Sequence, residues 1–197
     1  MTAIRLSFAQ ADARLDGDLS AAFEGRYKTV LLLDGDVTLE GDFLVALRRL
    51  HRLNGVDVIA ITGDLTVAGD IELDGARPGL YVAGTTRADV LVAGDAEVYL
   101  DDGTFTYLVY GYYNDGILDT GTVQTPWVIN SDHDLRCTAP GARWIDNYGH
   151  DRDAEFTVAN IAGSFVAEVV DPGYGTITVP AFVDRLRAGL PVLRPGY

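Results

Sequence analysis

Between residues 58 and 73 the apolar positions fall in pairs, 59 with 61, 65 with 67 and 71 with 73, and the pairs recur every six residues. Alternation within a pair has the two-residue period of a strand with one buried face. Gly63-Asp64 and Gly69-Asp70 stand between the pairs. Glycine reaches backbone angles closed to other residues, and aspartate can bond its own backbone at a turn, so each short strand is expected to end at a corner. A helix needs a period near 3.6 and does not sustain a glycine every sixth residue. The phrase VLLLDGDVTLEGDF at 30–43 returns as VIAITGDLTVAGDI at 58–71, with Val, Gly, Asp, Thr, Gly and Asp in matching places.

More short runs follow: LYVAGT from 80, VLVAGD from 90, VYLDDG from 98, YLVYGY from 107, ILDTGT from 117 and WVINSD from 127. Hairpins favour two-residue loops and strands of about five or six residues, and these strands are shorter. The pattern predicts an all-β chain: a single-domain parallel, right-handed β-helix, or solenoid, whose stacked coils share one apolar interior. Coils are expected to begin near Val30, Val58, Leu80, Tyr107 and Trp127, with loops bulging from the shaft where the advance lengthens.

Two segments break the strand pattern. FLVALRRLHRL at 43–53 puts Phe43, Leu47, Leu50 and Leu53 on one stripe and Arg48, Arg49 and Arg52 largely off it, before Asn54-Gly55 stops it. It predicts an amphipathic helix covering coil-side or end-of-stack apolar surface. VPAFVDRLRAGLPVL predicts a helix from Pro180 to Ala188, closed by Gly189 and Pro191, as a C-terminal cap over strand edges. Within the single domain of 1–197, residues 1–29 are expected to form an N-terminal cap region, 30–135 the repeat coils, and 136–197 irregular coils and the C-terminal cap. In that last part EFTVANIAGSFVAEVV alternates like one or two longer strands.

A chain of 197 residues, 48% hydrophobic, can bury one sizeable core. No stretch approaches a membrane span, and Arg5 and Asp12 break any signal-peptide core, so a cytoplasmic protein is expected. The single Cys137 forms no internal disulfide, which suits a reducing compartment. Net charge is −14, and from Asn54 to Leu135 fourteen acids face two bases, a net of −12. Such a body repels nucleic acid and anionic membrane and steers basic partners toward itself.

Candidate chemistry falls in two places. YGYYNDGIL at 110–118 gathers Tyr110, Tyr112 and Tyr113 beside Asp115 and Asp119. Tyrosine offers broad contact area with a polar tip, so these five are the expected binding surface. The plainer alternative is a structural turn at Asn114-Asp115-Gly116 flanked by stacked aromatics. NSDHDLRC and DNYGHDRD carry His133, Asp134, His150 and Asp151, which have the chemistry of divalent-metal ligands, and Cys137 with either His could pair a nucleophile and a base. No HExxH, paired CxxC, glycine-framed nucleophile, phosphate loop or dense calcium repeat accompanies them. They read as corner and loop residues, with no metal, no cofactor and no catalytic residue assigned.

The GDLTVAGDIELDG phrase resembles the bactofilins, a polymer-forming cytoskeletal β-helix family, over residues 30–103. The resemblance implies a solenoid and, by extension, a self-associating scaffold. The helical insertion at 43–53, the unequal coils and the aromatic C-terminal third depart from that family and favour a monomer or small oligomer. The leading functional expectation is a non-enzymatic acidic solenoid that binds a basic protein, most concretely a bacterial immunity protein neutralising a basic toxin domain. The alternatives are the bactofilin-like scaffold and a β-helix carbohydrate-active enzyme, whose acids would have to cluster in a cleft.

Overall fold

The computed structural model describes residues 2–24, 26–149 and 153–197. Strand makes up 41% and helix 19%, arranged as a β-solenoid of about 5 turns with a few short helices, so the expected all-β solenoid is what forms. It is preceded by β1 (Thr2–Ser7), α1 (Phe8–Arg14) and α2 (Asp18–Ala22). The first turn holds β2 (Thr29–Asp34), β3 (Val37–Leu39) and α3 (Phe43–Leu50). The second holds β4 (Val58–Ile61), β5 (Leu65–Val67) and β6 (Ile71–Leu73). Longer strands then run through a corner: β7 (Gly79–Val82) leads to β8 (Thr86–Ala93), and β9 (Glu97–Leu100) to β10 (Gly103–Tyr112). The stack continues through β11 (Ile117–Gln124), β12 (Trp127–Ser131), β13 (Asp134–Thr138), β14 (Arg143–Asp146) and β15 (Phe156–Thr157). The chain closes with α4 (Ile161–Ser164), a 3₁₀ turn at Ala167–Val169 and α5 (Val179–Arg187).

Three parallel faces run down the stack. The first joins β2, β4, β7, β9, β11 and β13. The second joins β3, β5, the leading ends of β8 and β10, and the trailing end of β11. The third joins β6, the trailing ends of β8 and β10, β12, β14 and β15. Val30 lies opposite Val58, an advance of 28 residues, and Leu80 lies opposite Val98, an advance of only 18. Tyr107 and Trp127 therefore do not begin coils. Both belong to third-face strands, and the corresponding turns open at Glu97 and Ile117. The strands β8 and β10 round a corner with no Gly-Asp step to mark it, only a register shift between Phe105 and Leu108, which is why the spacing misleads.

The repeated phrase has a cause in the third dimension. Asp36 accepts a hydrogen bond from the Asp64 amide at 2.9 Å, Asp42 from Asp70 at 3.2 Å, Asp64 from Thr85 at 2.8 Å and Asp102 from Thr122 at 2.7 Å. These four corner aspartates thus hold the backbone of the next turn, where bonds to their own turn were expected. Glycine follows from that contact: a Cβ on Gly69 would lie 2.5 Å from the Asp42 carboxylate, one on Gly84 2.5 Å from that of Asp64, and one on Gly121 2.7 Å from that of Asp102. Among the corner glycines Gly35, Gly41, Gly63, Gly69, Gly84 and Gly121, only the first two, both in the first turn, need left-handed backbone, at φ 87° and 81°.

Leu65, Val67, Ile71 and Leu73 are buried as expected, in a core that extends from Leu31 to Ala139. Each such side chain contributes roughly 1.5–3 kcal/mol. On the second face alternation is strict, with Thr38, Arg87, Thr104 and Gln124 exposed outward. The other two faces carry continuous apolar runs, VIAI on the first and WVI on the third, which is the mark of a sheet buried on both sides.

Each two-sided face has its own cover. Over the first lie α1, α2 and Phe23, packing Ala11, Leu15 and Leu19 against Val30, Leu32 and Val58, while β1 pairs antiparallel with β2. Over the third lies the C-terminal segment, where Phe165, Phe182 and Val183 meet Leu108, Trp127 and Ile129. The expected C-terminal helix forms, and what it caps is this flank. The expected long strands at 155–170 reduce to β15. Ile161, Phe165 and Val169 are all buried, but from a four-residue helix, an extended break at Phe165 and Val166, and the 3₁₀ turn, a change of conformation that the local alternation concealed. The helix α3 takes the place of a third-face strand in the first turn: the Phe43 amide donates to the Asp70 carbonyl at 2.9 Å, and Phe43, Ala46 and Leu47 close the core. Leu50, expected on the buried stripe, is 59% exposed because the helix ends there.

Candidate functional site

A concavity of about 540 Å³ lies between the outer side of the third face and α5. Its floor is apolar, with Val90 and Val92 from β8 and Ile177, Val179, Pro180 and Val183 from the C-terminal segment. Five carboxylates stand around it, Asp70, Glu72, Asp74, Asp171 and Asp184, against one lining cation, Arg187. Glu72 is the outward residue of β6, and the register Glu72, Val92, Tyr110 forms one column across three strands.

The charges are not equally satisfied. Asp70 is buried and bonded through both oxygens to Arg187, at 2.6 Å for Oδ2. Asp171 accepts the amides of Gly173 and Tyr174 at 2.7 and 3.1 Å. Glu72 and Asp74 have no ion pair among the described residues. Partial burial, and then the like charges of Asp70, Asp42 and Asp74, push the Glu72 carboxyl above its ordinary range. Burial and the nearby Asp74 likewise push the Tyr112 phenol up to about 12.

The structure brings together part of the expected tyrosine surface. Tyr110 and Tyr112 alternate outward on β10, and their rings stack at 5.3 Å and 15° on the groove wall. Tyr113 leaves the strand in left-handed conformation, φ 69°, so its ring turns to the same side, 4.8 Å from Tyr112. It stands in an adjoining hollow of about 330 Å³ and is 57% exposed. Tyr148 and Tyr174, which sequence reasoning did not single out as site residues, are exposed around the same and a neighbouring hollow. Asp115 sits in the expected turn, exposed. Asp119 is elsewhere: it belongs to β11 on the first face and lies 3.7 Å from Arg136. Sequence reasoning missed Glu72 and Asp74, whose one visible signal was an acidic residue at every outward position of DIELD.

The histidine and cysteine candidates are separated. The His133 ring packs over two glycines of the preceding turn, and a Cβ on Gly111 or Gly116 would come within 2.7 or 2.8 Å of it. Its Nδ1 donates to the Tyr113 carbonyl at 2.7 Å, Nε2 is buried without a partner, and burial holds the ring below its ordinary pKa. This ring is a wedge between turns. Asp134 is exposed and paired with Arg136. His150 and Asp151 lie outside the described residues. Cys137 packs against the core, and burial pushes its thiol up to about 11, which suits neither a nucleophile nor a metal ligand. Among the described residues no group of three or more His, Cys, Asp or Glu side chains is placed to hold a metal ion, and no helix is long and apolar enough to cross a membrane.

A scan against protein-family models, a search of curated proteins and a search of solved structures each return no match to this chain.

Proposed function

We propose that this chain is a non-enzymatic binding solenoid that holds a basic protein, and most concretely that it acts in the cytoplasm as an immunity protein neutralising a basic toxin. What carries the reading is the groove: an apolar floor and stacked tyrosines beneath Glu72 and Asp74, two carboxylates with no direct ion pair among the described residues, the nearby Arg187 being bonded to Asp70. Like charges gathered without a partner destabilise the fold that holds them, and a basic ligand would relieve that repulsion. The −12 charge of residues 54–135 adds long-range attraction, which accelerates encounter more than it tightens the complex.

The test begins with co-purification of the tagged chain from its native host and identification of what accompanies it. A basic partner whose association slows steeply with salt, and whose toxicity to cells is relieved by co-expression, supports the reading. An acidic partner, or association indifferent to salt, overturns it.

One observation favours a second reading, a β-helix carbohydrate-active enzyme: Glu72 stands beside Asp70 and Asp74 in a tyrosine-lined groove, where burial and those like charges raise its pKa, the direction in which a general acid is tuned. Release of reducing ends from a panel of polysaccharides, abolished by Glu72→Gln, would put this reading first.

A further inference from the structure

The groove already contains one guanidinium, and its setting is informative. Arg187, from α5, bonds both oxygens of Asp70 and lies over the Tyr107 ring, with Cζ 5.9 Å from the centroid. A carboxylate with a tyrosine ring beside it is thus how this surface holds an arginine. Two residues along β6 the combination recurs. Glu72 shares a register column with Tyr110, the Tyr110 ring stacks on Tyr112, and the Tyr112 hydroxyl lies 3.5 Å from the Asp74 carbonyl oxygen. Among the described residues neither Glu72 nor Asp74 has an ion pair.

We infer that this second carboxylate-and-tyrosine position receives an arginine side chain from an extended segment of a basic partner protein. The inference rests on the reading of the chain as a receptor for such a protein and specifies what it recognises. Guanidinium suits the position better than ammonium. It is planar, so it can lie on a phenol ring, and it presents a fork of donors that one carboxylate can accept in parallel, whereas lysine is a compact, strongly hydrated point charge. The wall of Val179, Pro180 and Val183 facing Val92 would cover the methylene stem and a neighbouring apolar side chain. A cavity of about 540 Å³ admits a few side chains and excludes a folded domain, so the occupant is a segment. Tyr113, Tyr148 and Tyr174 extend an exposed aromatic rim where the partner would continue.

Fluorescence anisotropy tests this with a labelled peptide alternating arginine and valine, its lysine counterpart, and unlabelled spermidine as competitor. The arginine peptide is expected to bind about tenfold or more tighter than the lysine peptide, and to lose about tenfold or more in affinity when Glu72→Gln is combined with Asp74→Asn. Tyr112→Ala is expected to reduce the preference for arginine over lysine. Asp119→Asn, on the first face, is expected to change nothing. Melting temperatures of the variants separate lost binding from lost fold. The inference is overturned if the arginine peptide does not bind, if lysine or spermidine serves equally well, or if the double variant binds unchanged. A native basic partner that still binds the double variant would sink this inference alone. Arginine-peptide binding that the double variant abolishes, with no basic partner found in the host, would uphold the guanidinium-binding position and overturn the receptor reading beneath it.

Discussion

At the residue scale the repeated Gly-Asp step is one interaction seen from both ends. The aspartate of one turn reaches up to an amide of the next, and the glycine there is the space into which the carboxylate fits. Position decides the cost of replacing a glycine. A Cβ at Gly63 would lie 2.7 Å from the Asp36 amide nitrogen, and backbone cannot step aside as a flexible side chain would. At Gly163, in α4, nothing lies within 4 Å. Gly63→Ala is therefore expected to destabilise by about 1–3 kcal/mol through overpacking. Gly163→Ala is expected to be neutral or stabilising by up to about 1 kcal/mol, because alanine is the better helix former. Denaturant midpoints compare the two, and equal effects would mean that glycine serves some purpose other than room for the aspartate.

At the element scale two carboxylates mark the difference between a cover that is fastened and a groove that is left open. Asp57, buried on the first face, fastens the N-terminal cover. It accepts the amides of Lys28 and Thr29 at 2.7 and 3.1 Å and pairs with Arg77. Burial is the largest single influence and raises its pKa, but the two amides and the guanidinium together hold it below the ordinary carboxylate range. Its stabilising contribution is present above the unfolded-state pKa and is lost as pH falls through the lower folded value. Glu72 has the opposite sign, since its folded pKa is raised: the folded state is favoured in acid, and that advantage is lost as pH rises through the folded value. Asp57→Asn is expected to lower the melting temperature at neutral pH and Glu72→Gln to raise it. Both differences should shrink toward zero in acid, where the native carboxyls are themselves protonated. Melting curves across pH read both signs, and a Glu72→Gln protein less stable at neutral pH would contradict an unpaired carboxylate there.

At the scale of the whole molecule, stacking is stopped at the end where a bactofilin-like polymer would have to continue. The strand β1 occupies the free edge of β2 in antiparallel register, and α3 stands where a third-face strand would be, so a preceding turn cannot add parallel strands to either face. At the other end β13 exposes Asp134 and Arg136 along its edge, and charged edges discourage pairing. The chain of 21.2 kDa is expected to scatter light as a monomer or small oligomer and to form no filaments at micromolar concentration. Filaments of the intact protein under the electron microscope would move the scaffold reading ahead of the binding one.

The sequence by itself determined the local grammar. Strands of three or four residues, corners at Gly-Asp and an interior lined by Leu65, Val67, Ile71 and Leu73 follow from a two-residue period broken at fixed intervals. So does the helix at 43, from its stripe of Phe43 and Leu47. Periodicity acts between near neighbours, and the corners, although their aspartates bond the next turn, are readable because the step repeats along the chain. Which residues meet across turns was decided by the tertiary structure alone. The register that sets Glu72 beside Val92 and Tyr110 depends on turns of unequal length, and nothing in the spacing fixes where a strand without glycine rounds its corner. The groove depends further on where a separate segment, residues 156–193, folds back onto the third face. The continuous runs VIAI and WVI carried a signal that two faces need covers, since apolar residues at successive strand positions point both ways, although the paired alternation predicts strands with one buried face. They did not say which segment supplies each cover. That choice, made by packing between residues as far as 117 positions apart in the Asp70 to Arg187 pair, is what bonded the groove's arginine to Asp70 and not to Glu72.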